Sequence, residues 1–166
     1  MAHDEELTHD EQLKTINDII KATRFATVTT RTADGDLVSR PLAVLDRDFD
    51  GTVWFFTQDP SPKTRDIAED PQVNVSFGDG KSYLSLAGTA SVERNQIRID
   101  QLWNPMVEAW FENGREDPTV ALLRVDATSA EFWAIDKPGV VRAFEIAKAI
   151  VTKQTPDVGE NRTVSL

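Results

Sequence analysis

The stretch Leu37-Val38-Ser39-Arg40-Pro41-Leu42-Ala43-Val44-Leu45, followed by Thr52-Val53-Trp54-Phe55-Phe56-Thr57 and Ser61-Pro62-Lys63, decides how this chain is read. Both apolar runs favour strands, and Asp50-Gly51 between them is a turn signal because glycine supplies the positive φ that tight turns need. Pro62 suits the first position of a helix, where its missing N–H is not needed, and Ser61 is an N-cap type. The helix is expected to run to about Glu69, with Pro71 ending it. A helix start exposes unpaired N–H groups and the positive end of the dipole, so it suits a phosphate. Lys63 adds a charge, Ser61 and Thr57 add hydroxyls, and Arg40 offers a planar, bidentate donor from the neighbouring strand. Each feature is ordinary alone. Ser61-Pro62-Lys63 also reads as a plain helix cap with a surface lysine, and Arg40 as a solvated strand residue. Their convergence on adjoining elements is what points to a phosphate.

Outward from this stretch, Thr8-His9-Asp10-Glu11 is a capping box, and Leu13, Ile16, Ile19 and Ile20 recur at helical spacing to about Thr23. Phe25 to Thr30 alternates as a strand, and Asp34-Gly35 is a hairpin turn into Leu37 to Leu45. Val73 to Phe77 and Tyr83 to Val92 are further strands joined through Gly78-Asp79-Gly80. Arg94 to Trp103 reads as a helix, and Met106 to Phe111 as a short helical turn ended by Asn113-Gly114. Val120 to Ile135 is a long strand, bent or bulged around Asp126-Ala127. Pro138 to Val151 is a final helix, followed by a polar tail. Six strands with mainly short links predict a mainly β, antiparallel barrel with flanking helices. Residues 1–166 read as one domain, with 1–7 and 152–166 as flexible tails.

Composition narrows the chemistry. Cysteine is absent, which removes disulfides, thiolate catalysis and cysteine metal sites. The only histidines, His3 and His9, lie in the polar N-terminal stretch, so neither a histidine triad nor a metal site is expected. Lys+Arg of 18 against Asp+Glu of 28 gives a net charge of -10. That field repels nucleic acid and anionic membranes, so an anion site has to be built locally. No apolar run approaches the length of a membrane span or of a signal-peptide core, and the chain is expected to be soluble and cytoplasmic.

The aromatic residues admit two readings. Alternation places Trp54 and Phe56 on one strand face and Phe55 on the other, one face forming core and the other free to flank a flat ring. Leu102-Trp103-Asn104-Pro105, Ala109-Trp110-Phe111 and Glu131-Phe132-Trp133 read either as core or dimer packing or as walls of a cofactor pocket. No Gly-x-Gly-x-x-Gly or Walker motif occurs, so dinucleotide and P-loop folds lose support. Asp46, Asp48 and Asp50 lack the following glutamate of a calcium loop and read as a solvated turn.

The segments Phe25-Ala26-Thr27-Val28-Thr29-Thr30, Leu37-Val38-Ser39-Arg40-Pro41-Leu42, Val53-Trp54-Phe55-Phe56-Thr57, Ser61-Pro62-Lys63 and Pro71-Gln72-Val73-Asn74-Val75-Ser76-Phe77 occur in an order that resembles the pyridoxamine 5'-phosphate oxidase-like proteins. Leu86-Ala87-Gly88-Thr89-Ala90, Leu102-Trp103-Asn104-Pro105 and Ala109-Trp110-Phe111 point more narrowly to the bacterial general stress protein 26 group. The resemblance runs from about residue 8 to residue 150. It implies an FMN-binding split barrel of six antiparallel strands, acting as a homodimer with flavin sites at the interface. Carried over by position, Arg40 and Lys63 would bind the FMN phosphate, assisted by Ser61 and Thr57. Pro41, Leu42, Phe55 and Phe56 would border the isoalloxazine, with Trp103, Trp110 and Trp133 near it, in part from the partner subunit.

The vitamin B6 oxidases carry an Arg-Leu-x-Pro segment at their end, whereas this chain reads Gly159-Glu160-Asn161-Arg162-Thr163-Val164-Ser165-Leu166. Oxidation of pyridoxamine phosphate is therefore not expected. An FMN-dependent oxidoreductase acting with a small-molecule redox partner is the leading reading. A flavin-buffering stress protein without turnover and a deazaflavin-dependent reductase are the alternatives, and FAD offers the same ring and a phosphate.

Overall fold

The computed structural model describes residues 7–134 and 160–166. The final helix expected over Pro138 to Val151 lies outside the described residues. Helix α1 (His9–Ala22) starts at the predicted capping box, with Thr8 and Glu11 satisfying each other's backbone N–H groups. Its Ile16, Ile19 and Ile20 are buried, and the helix packs across strands β4 (Gln72–Gly78), β5 (Tyr83–Glu93) and β6 (Val120–Ala134).

Strands β1 (Phe25–Arg31) and β2 (Leu37–Ala43) form the predicted hairpin, with Gly35 at φ 89° in its turn. Strand β3 (Thr52–Gln58) leads into helix α2 (Pro62–Glu69), and two short helices, α3 (Gln96–Leu102) and α4 (Pro105–Glu108), follow β5. Every strand pairing is antiparallel, and the order is β2-β1-β4-β5-β6-β3.

A seventh strand, β7 (Glu160–Ser165), stands where the end of the flexible tail was expected, while 152–159 lie outside the described residues. It pairs with the second half of β6, from Ser129↔Ser165 to Ala134↔Glu160, on the edge whose first half pairs with β3. Val164 is buried in the core and supplies an anchor for the pairing. At the other end of the chain Leu7 packs against the same core, so it too is held.

The bend in β6 falls at Thr128. Ala87 faces Ser129 and Gly88 faces Ala127, leaving Thr128 as the extra residue of a bulge. Gly88 lies so close to β6 that a Cβ there would collide with the Asp126 carbonyl. The expected irregularity around Asp126-Ala127 is thus one residue further along.

Strand β3 separates two cores. Val53 and Phe55 face the barrel interior with Ile16, Val28, Leu86 and Phe132, while Trp54 and Phe56 face a second cluster with Ile99, Val107 and Leu122. Burial on both faces explains its continuous apolar run. The terminal strands of the sheet, β2 and β3, approach each other but share no ladder among the described residues. The sheet is therefore a split barrel left open along this seam. Pro41, which offers no N–H, sits on the open edge strand, where a proline is tolerated.

Candidate functional site

The seam holds a cleft of about 350 Å³. One wall is Pro41, Leu42 and Ala43 of β2 with Phe25 of β1; the other is Phe56, Thr57 and Gln58 of β3. Ser61 and Lys63 close one end, and Val107, Trp110 and Phe111 cover the apolar remainder. Among the described residues lining the cleft, only Lys63 ionises.

The polar end is built by α2. Ser61 caps the helix, its hydroxyl accepting from the Thr64 N–H at 3.3 Å, while its own N–H donates to Thr64 Oγ1 at 2.9 Å. Pro62 has no N–H, so the Lys63 amide is left as the first-turn donor without an acceptor among the described residues. Lys63 Nζ donates to Thr57 Oγ1 at 2.8 Å. The loop ahead of α2 is clamped by Arg94, which donates to Asp59 Oδ2 at 2.6 Å and to the Asp59 carbonyl at 2.8 Å.

Burial first, and the charge of Arg40 second, hold the Lys63 ammonium below the ordinary lysine value of 10.5. Two cations in a partly desolvated corner, beside a free helix amide, favour a bound anion that would relieve both effects. Arg40 stands next to the cleft rather than in its wall. Its Nη1 donates to Thr30 Oγ1 at 2.6 Å, and its Nη2 lies 3.7 Å from Asp66 Oδ2.

The structure thus brings Pro41, Leu42, Phe56, Thr57, Ser61, Lys63 and Trp110 onto one cleft, with Arg40 beside it. Three expected residues stand elsewhere. The Phe55 side chain is 0% exposed in the barrel core, because alternation along β3 turns it away from Phe56. Trp103 packs edge-to-face against Phe56 at 5.4 Å and supports the cleft wall without lining it. Trp133 faces Tyr83 across β5 and β6 and takes no part in the cleft.

Residues not anticipated are Phe25, Ala43, Leu45, Gln58 and Val107 in the cleft, and Thr30 and Asp66 behind Arg40. The position of Thr30 was accessible in principle. It continues the inward alternation of Ala26 and Val28, where a buried hydroxyl requires a partner.

The family described as pyridoxamine 5'-phosphate oxidase like has a sequence model that matches residues 11–157 of this chain. Protein bli-3 of Neurospora crassa is 28% identical over 174 residues, a match covering 98% of this chain and 83% of that protein. A crystal structure assigned to general stress protein 26 from Jannaschia sp. CCS1 has a TM-score of 0.72 at 28% identity, covering 93% of this chain and 99% of its own. The general stress FMN/FAD binding protein from Xanthomonas citri is 30% identical with a TM-score of 0.67, covering 79% of this chain and 93% of that one.

Proposed function

Because the chain belongs to the pyridoxamine 5'-phosphate oxidase-like family, we propose that its cleft binds FMN and that the protein is a flavin-dependent oxidoreductase acting on a small acceptor. The observation that carries this reading is the corner formed by Lys63, Thr57 and Ser61, with Arg40 beside it, at the end of an otherwise apolar cleft. Lys63, Arg40, Thr57, Ser61 and the Lys63 amide would hold the phosphate. Pro41, Leu42, Phe56 and Trp110 would border the ring.

When bound, the flavin supplies the hydride and electron chemistry. The chain's own contribution is to bind and orient. The lysine and the helix start fix one end of the ligand, and Phe56, braced by Trp103, gives a rigid apolar wall that limits water. With Lys63 the only ionising group of the wall among the described residues, and committed to the anion, proton transfer by a dedicated side chain is not part of the proposal.

That same poverty of acid–base groups favours a second reading, a flavin-buffering stress protein with no turnover. A deazaflavin in place of FMN is the third. Oxidation of reduced nicotinamide by the FMN-loaded protein, with a quinone or oxygen as acceptor, separates these. Rates well above free FMN support the oxidoreductase; tight FMN without acceleration supports buffering; displacement of FMN by a deazaflavin supports the third.

We also propose a homodimer. Phe25 and Trp110 are exposed at the cleft rim, and Leu37 and Val38 are exposed on edge strand β2, which would place apolar surface beside each site. Trp133, exposed on β6, would approach the ring only from a second copy. Light scattering of the purified protein tests this: a mass of one chain would contradict it.

A further inference from the structure

Arg40 is held from behind by two groups that belong to other elements. Thr30 Oγ1, on β1 and 0% exposed, accepts from Arg40 Nη1 at 2.6 Å and donates to Asp66 Oδ2 at 2.9 Å. A hydroxyl has one proton, so donation to Asp66 leaves its lone pairs for the guanidinium. Asp66 Oδ2 also lies 3.7 Å from Arg40 Nη2, and both side chains are largely buried, at 18% and 15% exposure. The remaining guanidinium hydrogens have no acceptor among the described residues. Asp66 sits on α2, three residues after Lys63, so the helix that carries the lysine also carries the anchor of the arginine.

We propose that Thr30 and Asp66 are positioning residues that fix the Arg40 guanidinium for the phosphate of the ligand. This rests on the phosphate reading of the cleft. It makes a claim about sign that charge alone does not. Asp66 is a carboxylate close to the corner formed by Arg40 and Lys63, so simple electrostatics says that removing it tightens binding of an anionic ligand. Positioning says the reverse, because a long arginine without its brace loses the fixed fork that makes its hydrogen bonds directional.

The test measures the dissociation constants of FMN and riboflavin, which share the ring and differ by the phosphate, for the full chain and for T30V, T30S, D66A and R40A. The expected result is an FMN affinity lowered roughly ten-fold in T30V and D66A, the loss of about one charge-assisted hydrogen bond. Riboflavin affinity should stay within two-fold of the unsubstituted chain, and T30S should restore FMN binding. Equal losses for both ligands would mean a merely structural role and overturn the inference. So would unchanged or tighter FMN binding in D66A while R40A loses it. If R40A itself keeps its full preference for FMN over riboflavin, Arg40 does not hold the phosphate and the inference is overturned; the phosphate reading fails only if the Arg40→Ala, Lys63→Ala double variant keeps that preference as well.

Discussion

Lys63 Nζ rests 2.8 Å from Thr57 Oγ1, joining the first turn of α2 to the end of β3. The strand and helix are separated by only a short loop, and Arg94 holds that loop at Asp59. The contact fixes a cation at the edge of the cleft. Burial of that ammonium first, and the charge of Arg40 second, give the site a pH dependence that can be read in advance.

In the folded chain Lys63 loses its proton at lower pH than in the unfolded chain, whose lysine titrates near 10.5. As pH rises through the window below 10.5, the unfolded state alone keeps the proton, so this lysine's burden on the ligand-free fold diminishes. Binding runs the other way, because a phosphate favours the ammonium. The ratio of FMN to riboflavin affinity should therefore fall as pH rises through that window. In Lys63→Arg, whose charge persists above about pH 12, the fall should vanish. Titrations of both proteins with both ligands check this, and matching profiles would contradict it.

Phe55 and Phe56 are adjacent but serve different cores, so they should separate stability from binding. Phe55→Leu should lower stability by about 1.5 kcal/mol with FMN affinity within two-fold. Phe56→Leu should weaken FMN several-fold. Urea unfolding beside flavin titration reads both quantities.

Trp110 is 63% exposed, and among the described residues its ring packs edge-to-face on Phe25, at 6.4 Å. Trp110→Ala should change stability by less than about 1 kcal/mol. It should nevertheless weaken FMN and remove part of the tryptophan quenching that FMN titration of the unsubstituted chain is expected to give. Unchanged quenching would place Trp110 away from the ring.

Gly88→Ala tests the fold without touching the cleft. The added methyl would meet the Asp126 carbonyl and approach Ala127 Cα to 3.1 Å at the bulge. Overpacking of this kind costs about 3 kcal/mol, which a shifted urea midpoint would show.

Most of the fold was legible because its signals are local. The capping box at Thr8, the Asp34-Gly35 turn and Ser61-Pro62 each act within a few residues, and the elements begin where those signals place them. That Ser61 and Lys63 share one end of the cleft was legible for the same reason, since both follow directly from a helix start. What escaped depends on distance along the chain. Thr30 and Asp66 are separated by 36 positions, and only the packing of α2 against β1 joins them. β7 carries a buried anchor, Val164, in a polar segment, and its strand character comes from the edge of β6 that it pairs with. Alternation placed Phe55 and Phe56 on opposite faces. Which face met the cleft was decided by α3 and α4, which bury Trp54 and brace Phe56.

The most direct test of the central claim is the flavin stoichiometry. The purified chain is incubated with FMN, freed of excess, and its visible spectrum recorded beside that of the Arg40→Ala, Lys63→Ala double variant. Near one FMN retained per chain, and almost none by a double variant that still melts cooperatively, is the predicted result. A colourless unsubstituted protein, or a double variant that keeps its FMN, would contradict it.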